Sequence, residues 1–252
     1  MQIARVRFPD RALSDVATAV AGALDDSGIT VRDGARIAVA VGSRGIGSLA
    51  TIVRSAVDWL RARGAAPFIV PAMGSHGGAT AEGQAEVLRS YGIHEESMGV
   101  PVRSSMETVT LEASGSDVDL FMDRFAWESD GVLLVNRVKP HTDFHGFPES
   151  GLMKMSVIGL GKHDQAKAIH GRGIYGLTKQ ILPTARRIIA TGKVIGGLAT
   201  VEDAYDHPME IRAAAADGME PMERGLLELA TQSMARLPLD EIDLLVVDEI
   251  GK

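Results

Sequence analysis

Three short loops hold most of the side chains that could do chemistry, and each loop follows an apolar run. The first is the segment 42–47, Gly42-Ser43-Arg44-Gly45-Ile46-Gly47, which leads into a helical pattern. Backbone N–H groups, a helix N-terminus and one arginine suit a phosphate or a carboxylate. The spacing matches neither the phosphate-binding loop of nucleotide hydrolases nor the dinucleotide fingerprint, so a tight turn remains the alternative.

The second loop, residues 71–78, places His76 between glycines in the order GSHGG. Glycines allow a ligand to approach the backbone closely. A lone histidine is more often structural or exposed, but the position after a buried strand makes His76 a candidate site residue.

The third loop, residues 136–154, is the richest in polar groups: Lys139, His141, His145, Glu149 and Lys154. Such density after an apolar strand favours a binding or catalytic site over a solvated loop. His141 and His145 are four residues apart, but Pro140 and Gly146 argue against a helical pair of metal ligands.

Two further histidines, His163 and His170, are seven residues apart, which predicts one face of a helix. The segment 171–176 matches G-x-G-x-x-G, but it follows a helical pattern where the dinucleotide fingerprint requires a strand. We interpret it as the end of a helix.

The elements that must position these loops alternate between apolar runs and helical periodicity. Strands are predicted at 37–41, 68–70, 132–135 and 194–199, and helices at 15–25, 49–63, 81–90, 162–169, 178–190 and 223–235. This alternation predicts an α/β fold: a mainly parallel, Rossmann-like sheet with helices on both faces. Ligands of such sheets bind beyond the carboxyl ends of the strands, where the three loops lie.

Composition excludes several classes of protein. The absence of cysteine excludes disulfides, thiolate catalysis and cysteine-ligated metals. A formal charge of −7 without a basic stripe argues against a nucleic-acid partner. No apolar run approaches the roughly 18 residues of a membrane span, and no signal peptide is visible, so a cytoplasmic protein is expected.

One main domain, residues 1–252, is expected from the length, with an irregular joint or excursion at 204–221. The apolar run 242–248 reads as a buried strand close to the last residue. That position leads us to expect a second domain beyond residue 252.

The order of the motifs resembles the lactate racemase family that uses a nickel pincer nucleotide. SRG comes first, then GSHGGAT about thirty residues later, then KPH, and then a lysine and a histidine sixteen residues apart. The resemblance extends over essentially the whole chain. It differs in a longer interval between KPH and the lysine and in the absence of the family's second domain.

The resemblance implies a role for each matching residue. His76 and His141 correspond to the acid/base pair, Lys154 to the lysine joined covalently to the cofactor, and His170 to the nickel ligand. Gly42, Ser43, Arg44 and Gly45 would face the cofactor phosphate. Arg44 and Lys139 are candidates for the substrate carboxylate, and His145 competes with His141.

The implied activity is racemisation or epimerisation of a 2-hydroxy acid through proton-coupled hydride transfer. The implied partners are that small acid and the enzymes that make the cofactor, while the oligomeric state stays open. Two rival classes remain: a metal-dependent hydrolase using His141, His145 and Asp143 or Glu149, and a non-catalytic module that binds a small carboxylate or nucleotide.

Overall fold

The computed structural model describes residues 6–42, 45–111, 119–142 and 144–237, together with 243 and 246. No helix in this part of the chain combines the length and apolar character needed to span a bilayer.

A five-stranded sheet forms the centre of the fold, in the spatial order β2-β1-β5-β6-β7. Its strands are β1 (Arg36–Val41), β2 (Ala66–Pro71), β5 (Gly131–Arg137), β6 (Val194–Glu202) and β7 (Pro208–Ala215). The first four are mutually parallel, and β7 pairs with β6 in the antiparallel sense. The carboxyl ends of the parallel strands therefore meet at one edge.

A separate antiparallel pair consists of β3 (Thr108–Leu111) and β4 (Leu120–Asp123). The helices are α1 (Val16–Asp25), α2 (Leu49–Ala62), α3 (Ala81–Ser90), α4 (Glu95–Met98), α5 (Arg124–Trp127), α6 (Leu152–Lys154), α7 (Lys162–His170), α8 (Gly173–Tyr175), α9 (Ile181–Ala190) and α10 (Met219–Ser233). Two π-helical turns, Met155–Gly159 and Gly176–Gln180, join α6 to α7 and α8 to α9.

Alternate residues of β5 enter two hydrophobic cores on opposite faces of the sheet. Leu133 packs with residues of α1 and α2, whereas Leu134 packs with residues of α6, α9 and α10. A strand buried on both faces is apolar throughout, which explains its run of valines and leucines. Helices on both faces of a mainly parallel sheet confirm the predicted fold class.

The predicted elements agree with the structure apart from their ends and the irregular interval. All four predicted strands are present, and α10 begins four residues earlier than predicted. Gly171 caps the end of α7, as the segment 171–176 indicated. The interval 204–221, expected to be an irregular joint or excursion, contains β7 and the start of α10. The predicted strand at 242–248 lies mostly outside the described residues.

Candidate functional site

A pocket of about 460 Å³ lies beyond the carboxyl ends of β1, β2 and β5. It brings together residues that are far apart in the chain. The pocket lies at the edge of the sheet where ligands of parallel α/β folds bind. Six of the predicted site residues line it: Gly42, His76, Lys139, His141, Lys154 and His170.

The other predicted site residues are placed differently. Gly45 and His145 are not among the lining residues, and the His145 side chain is 83% exposed. Ser43 and Arg44 lie outside the described residues, so their predicted contacts remain predictions.

The loop 42–47 differs from the expected anion cradle. The amide of Gly42 donates to the Val135 carbonyl at 3.0 Å, and that of Gly45 donates to the Tyr91 hydroxyl at 2.8 Å. The Gly47 amide donates to Glu202. These three N–H groups have protein partners, so they do not offer the free donors that the glycine-rich sequence suggested.

His76 is held in a compact turn directly after β2. Its amide donates to the Met73 carbonyl at 3.1 Å, and a short 3₁₀ turn, Gly77–Ala79, leads into α3. Gly77 has a φ of +64°, and a Cβ there would lie 2.6 Å from the backbone of Gly83. Gly77 thus allows the turn to pack directly on α3.

His141 lies in a loop organised by a buried carboxylate. Glu149 accepts hydrogen bonds from the amides of His141 at 2.7 Å and Gly146 at 2.8 Å. The His141 ring stacks on Phe144, with the ring centroids 4.1 Å apart. These contacts hold His141 at the pocket, whereas the His145 side chain is largely exposed, with Nδ1 3.7 Å from Glu149, and does not line the pocket, which favours His141 as the pocket histidine.

Lys154 and His170 end two consecutive helices, α6 and α7, which follow Gly151 and are joined by a π-helical turn. The Met153 amide in α6 donates to Glu223 of α10 at 2.9 Å. A Cβ at position 151 would lie 2.5 Å from Glu223, so only glycine allows this approach. The Lys154 ammonium lies 5.1 Å from the Phe144 ring centroid, a cation–π distance.

Lys154 also acts on His170 through space. Partial burial, and secondarily the charge of Lys154, lower the pKa of His170 below its ordinary value, although the residue keeps substantial exposure. A lowered pKa favours the neutral imidazole, which is the form that binds a metal.

Two further cations of the pocket, Arg137 and Lys139, come from the end of β5. Arg137 forms a largely buried ion pair with Glu202 at the end of β6. Burial, and then the charge of Arg137, lower the pKa of Lys139. The described lining residues include no aspartate or glutamate, so the lining side chains themselves carry a net positive charge, which Glu202 beside Arg137 partly offsets.

Arg137 is a charged lining residue that sequence reasoning left without a role. It stands in the polar segment after Leu134 and Val135, and its signal was its position at the carboxyl end of a buried strand. A partner sixty-five residues away cannot be read from such a pattern.

The metal-hydrolase alternative finds little support in the geometry. Within the described ranges, the cluster of histidine and carboxylate ligands close enough to hold a metal ion is Asp10, Asp203 and His207, not the loop of His141. Asp203 already accepts amide hydrogen bonds from Arg11, Tyr205 and His207. Asp143, part of the alternative ligand set, lies outside the described residues.

Comparison with known proteins identifies a structural neighbour. The apoprotein of lactate racemase from Thermoanaerobacterium thermosaccharolyticum superposes with a TM-score of 0.65 at 16% sequence identity. The match covers 91% of this chain and 58% of that chain.

The chain therefore has a lactate racemase-like fold and spans rather more than half the length of this neighbour. No family model and no curated protein matches the sequence. The similarity concerns the fold, and activity must be argued from the pocket.

Proposed function

We propose that this protein is a racemase or epimerase of a 2-hydroxy acid that uses a nickel pincer nucleotide. The observation that carries the proposal is the convergence of His76, His141, Lys154 and His170 on one pocket. These residues come from three separate segments, and the resemblance to the lactate racemase family implies a role for all four in one reaction.

The two loop histidines supply the proton chemistry. His76 follows β2 and His141 follows β5, with β1 lying between these strands. Two imidazoles on different loops suit a reaction that removes a hydroxyl proton on one side and returns it on the other. Histidine serves in both directions because its ordinary pKa lies near neutrality.

The residues of the pocket also fit the cofactor. Lys154 has a primary amine that can form an amide-type link, and His170 has an imidazole that can ligate nickel. Both side chains line the same pocket, and the charge of Lys154 contributes to the lowered pKa of His170. When bound, the cofactor would supply an acceptor for the α-hydride of the substrate.

The cationic side chains of the pocket would orient the carboxylate of the substrate. Arg137 is held by Glu202, so its guanidinium is available in one orientation, and Lys139 provides a second positive charge. A carboxylate bound by these side chains would place the adjacent carbinol carbon toward the histidines. The absence of carboxylates among the described lining residues supports this assignment.

The decisive experiment uses protein produced together with the enzymes that make the pincer nucleotide. Racemisation is followed from each enantiomer over a panel of 2-hydroxy acids, and cofactor loading is followed by intact mass. His76→Ala and His141→Ala should abolish racemisation, while each variant keeps the added mass of the covalently bound cofactor. Lys154→Ala should prevent covalent loading.

His163→Ala and His145→Ala are matched controls, because both histidines are exposed and neither lines the pocket. Both controls should remain active. Full activity of His76→Ala or His141→Ala would refute the assigned pair. Ligand-induced thermal stabilisation without isomerisation in the loaded protein would instead indicate a binding module.

A further inference from the structure

Two fully buried polar side chains, Lys162 and Gln84, lie beneath the loop that carries His76. Neither lines the pocket, and neither is used by the reaction proposed above. Lys162 begins α7, and Gln84 belongs to the first half of α3.

The two side chains form one connected network. The Lys162 ammonium donates to the carbonyl of Pro71, where β2 ends, and to the side-chain oxygen of Gln84 at 3.0 Å. It also forms a fully buried ion pair with Asp123 at 3.1 Å. Asp123 in turn accepts the Ala126 amide at 2.9 Å, which fixes the carboxylate to α5.

Gln84 completes the connection to the loop. Its amide nitrogen donates to the carbonyl of Gly74 at 2.8 Å and to that of His76 at 3.3 Å. Lys162 and Gln84 therefore donate hydrogen bonds to three backbone carbonyls of this loop, at residues 71, 74 and 76. The backbone of His76 itself is one of the bonded groups.

Stability alone does not account for this arrangement. A buried ion pair typically contributes little net stability compared with apolar residues of similar volume, because both charges must leave water. Lys162 also adopts a positive φ of 53°, a conformation that non-glycine residues seldom adopt. Buried polar side chains that hydrogen-bond to the backbone do, however, specify one arrangement of the backbone around them.

We propose that Lys162 and Gln84 are positioning residues that hold His76 at the pocket. Lys162 begins α7, the helix that carries His170, so the network also fixes the His76 loop relative to that helix. The positioning is a property of the protein itself, and its importance for catalysis rests on the proposed function.

The first test replaces Gln84 and compares it with a matched buried glutamine. Gln165 is equally buried, accepts the Phe121 amide at 2.9 Å and donates to the Asp119 carbonyl at 3.0 Å. Both Gln84→Leu and Gln165→Leu remove one glutamine that bridges two segments. Only Gln84→Leu removes the bonds to the His76 loop.

The readout is the Cε1–H NMR signal of each of the seven histidines in cofactor-free protein. Gln84→Leu should shift or broaden the His76 signal and leave those of His94 and His207 unchanged. Gln165→Leu should leave the His76 signal as in the wild type. An unchanged His76 signal in Gln84→Leu, or equal changes in both variants, would overturn the proposal.

A second variant covers the case in which Gln84→Leu does not fold. Asp123→Leu combined with Lys162→Met removes both buried charges together and leaves no unpaired ion. It should also change the His76 signal, and an unchanged signal in a folded double variant would count against Lys162.

In active, loaded enzyme, Gln84→Leu should lower kcat by about ten- to a hundredfold, as expected for a displaced catalytic group, with KM little changed. Because the NMR readout needs neither cofactor nor activity, failure of the racemase proposal and failure of the positioning proposal give different results.

Discussion

Glu223 shows how one side chain can set the position of the lysine proposed to carry the cofactor. It reaches from α10 to the start of α6 and accepts the Met153 amide. Burial raises the pKa of Glu223 to about 7, and the backbone hydrogen bonds from Met153 and Leu152 oppose that rise. The carboxyl therefore titrates in the neutral range, where an ordinary glutamate is fully ionised.

The raised pKa predicts a specific dependence of stability on pH. Between pH 4.5 and 7 the folded protein keeps a proton on Glu223 that the unfolded chain releases, so stability falls as pH rises. The shift corresponds to about 3 kcal/mol across this window. Urea unfolding of wild type and Glu223→Gln between pH 5 and 8 should show that the variant lacks this loss. Glu228→Gln, an exposed position on the same helix, should follow the wild type.

Glu149 supports a second prediction, concerning the loop of His141. Glu149→Gln replaces one acceptor oxygen by an NH₂ group that faces a backbone N–H, which leaves a largely buried donor unsatisfied. We expect a loss of about 1–3 kcal/mol in stability. The amides of His141 and Gly146 should exchange hydrogen faster. His163→Ala, at an exposed position outside this loop, should not change this exchange, and equal acceleration in that variant would contradict the assignment to Glu149.

Sequence reasoning identified the side chains that line the pocket better than the residues that hold them. His76, His141, Lys154 and His170 stand in loops or motifs whose composition is visible in the chain. Glu149 drew attention as a possible ligand, but its bonds to two backbone amides depend on how the loop folds. Glu223, seventy residues from its partner, carries no local signal at all.

At the scale of elements, the ion pair between Arg137 and Glu202 joins the carboxyl ends of β5 and β6. The two side chains are 12% and 4% exposed, and Glu202 also accepts the amide of Gly47 before α2. Burial raises the pKa of Glu202, and the charge of Arg137 opposes that rise. The positive charge of Arg137 thus compensates the negative charge of Glu202, which connects β5, β6 and the loop before α2.

Removing only the arginine should therefore be more harmful than removing both charges. Arg137→Met leaves Glu202 buried without its cation, and such losses cost about 3–5 kcal/mol. The double variant Arg137→Met with Glu202→Leu should recover part of this stability. Urea unfolding at constant pH measures both. Similar losses in the single and double variants would show that the packing of Arg137, rather than its charge, matters.

The strands that the sequence predicted are those with the most complete burial. β1, β2, β5 and the first part of β6 are buried and apolar, so their local pattern suffices. β7 lies at the edge of the sheet, where the burial of its residues is mixed, and β3 is short and rich in threonine. Their pairing depends on distant strands, which a local pattern does not contain.

At the scale of the whole molecule, β5 belongs to both hydrophobic cores. Trp59 is buried in the core with α1 and α2, and Trp127 packs against the opposite core. The sequence contains these two tryptophans and no others, so each face has its own fluorescent reporter. Because β5 cannot leave one core without leaving the other, the two faces should unfold together.

Single-tryptophan variants test this coupling. Trp127→Phe leaves the reporter of one face, and Trp59→Phe leaves that of the other. In each variant, urea transitions followed by fluorescence and by far-ultraviolet circular dichroism should coincide. A fluorescence transition that precedes the loss of secondary structure in either variant would show that one face unfolds separately.

The cationic pocket opens on a molecule with a formal charge of −7. At physiological ionic strength, charges are screened beyond about 8 Å, so an approaching anion responds to the mouth of the pocket rather than to the molecule as a whole. At low salt the repulsion of the whole molecule extends further and should slow the encounter. The association rate of an anionic ligand should then rise when a little salt is added and fall again once salt screens Arg137 and Lys139.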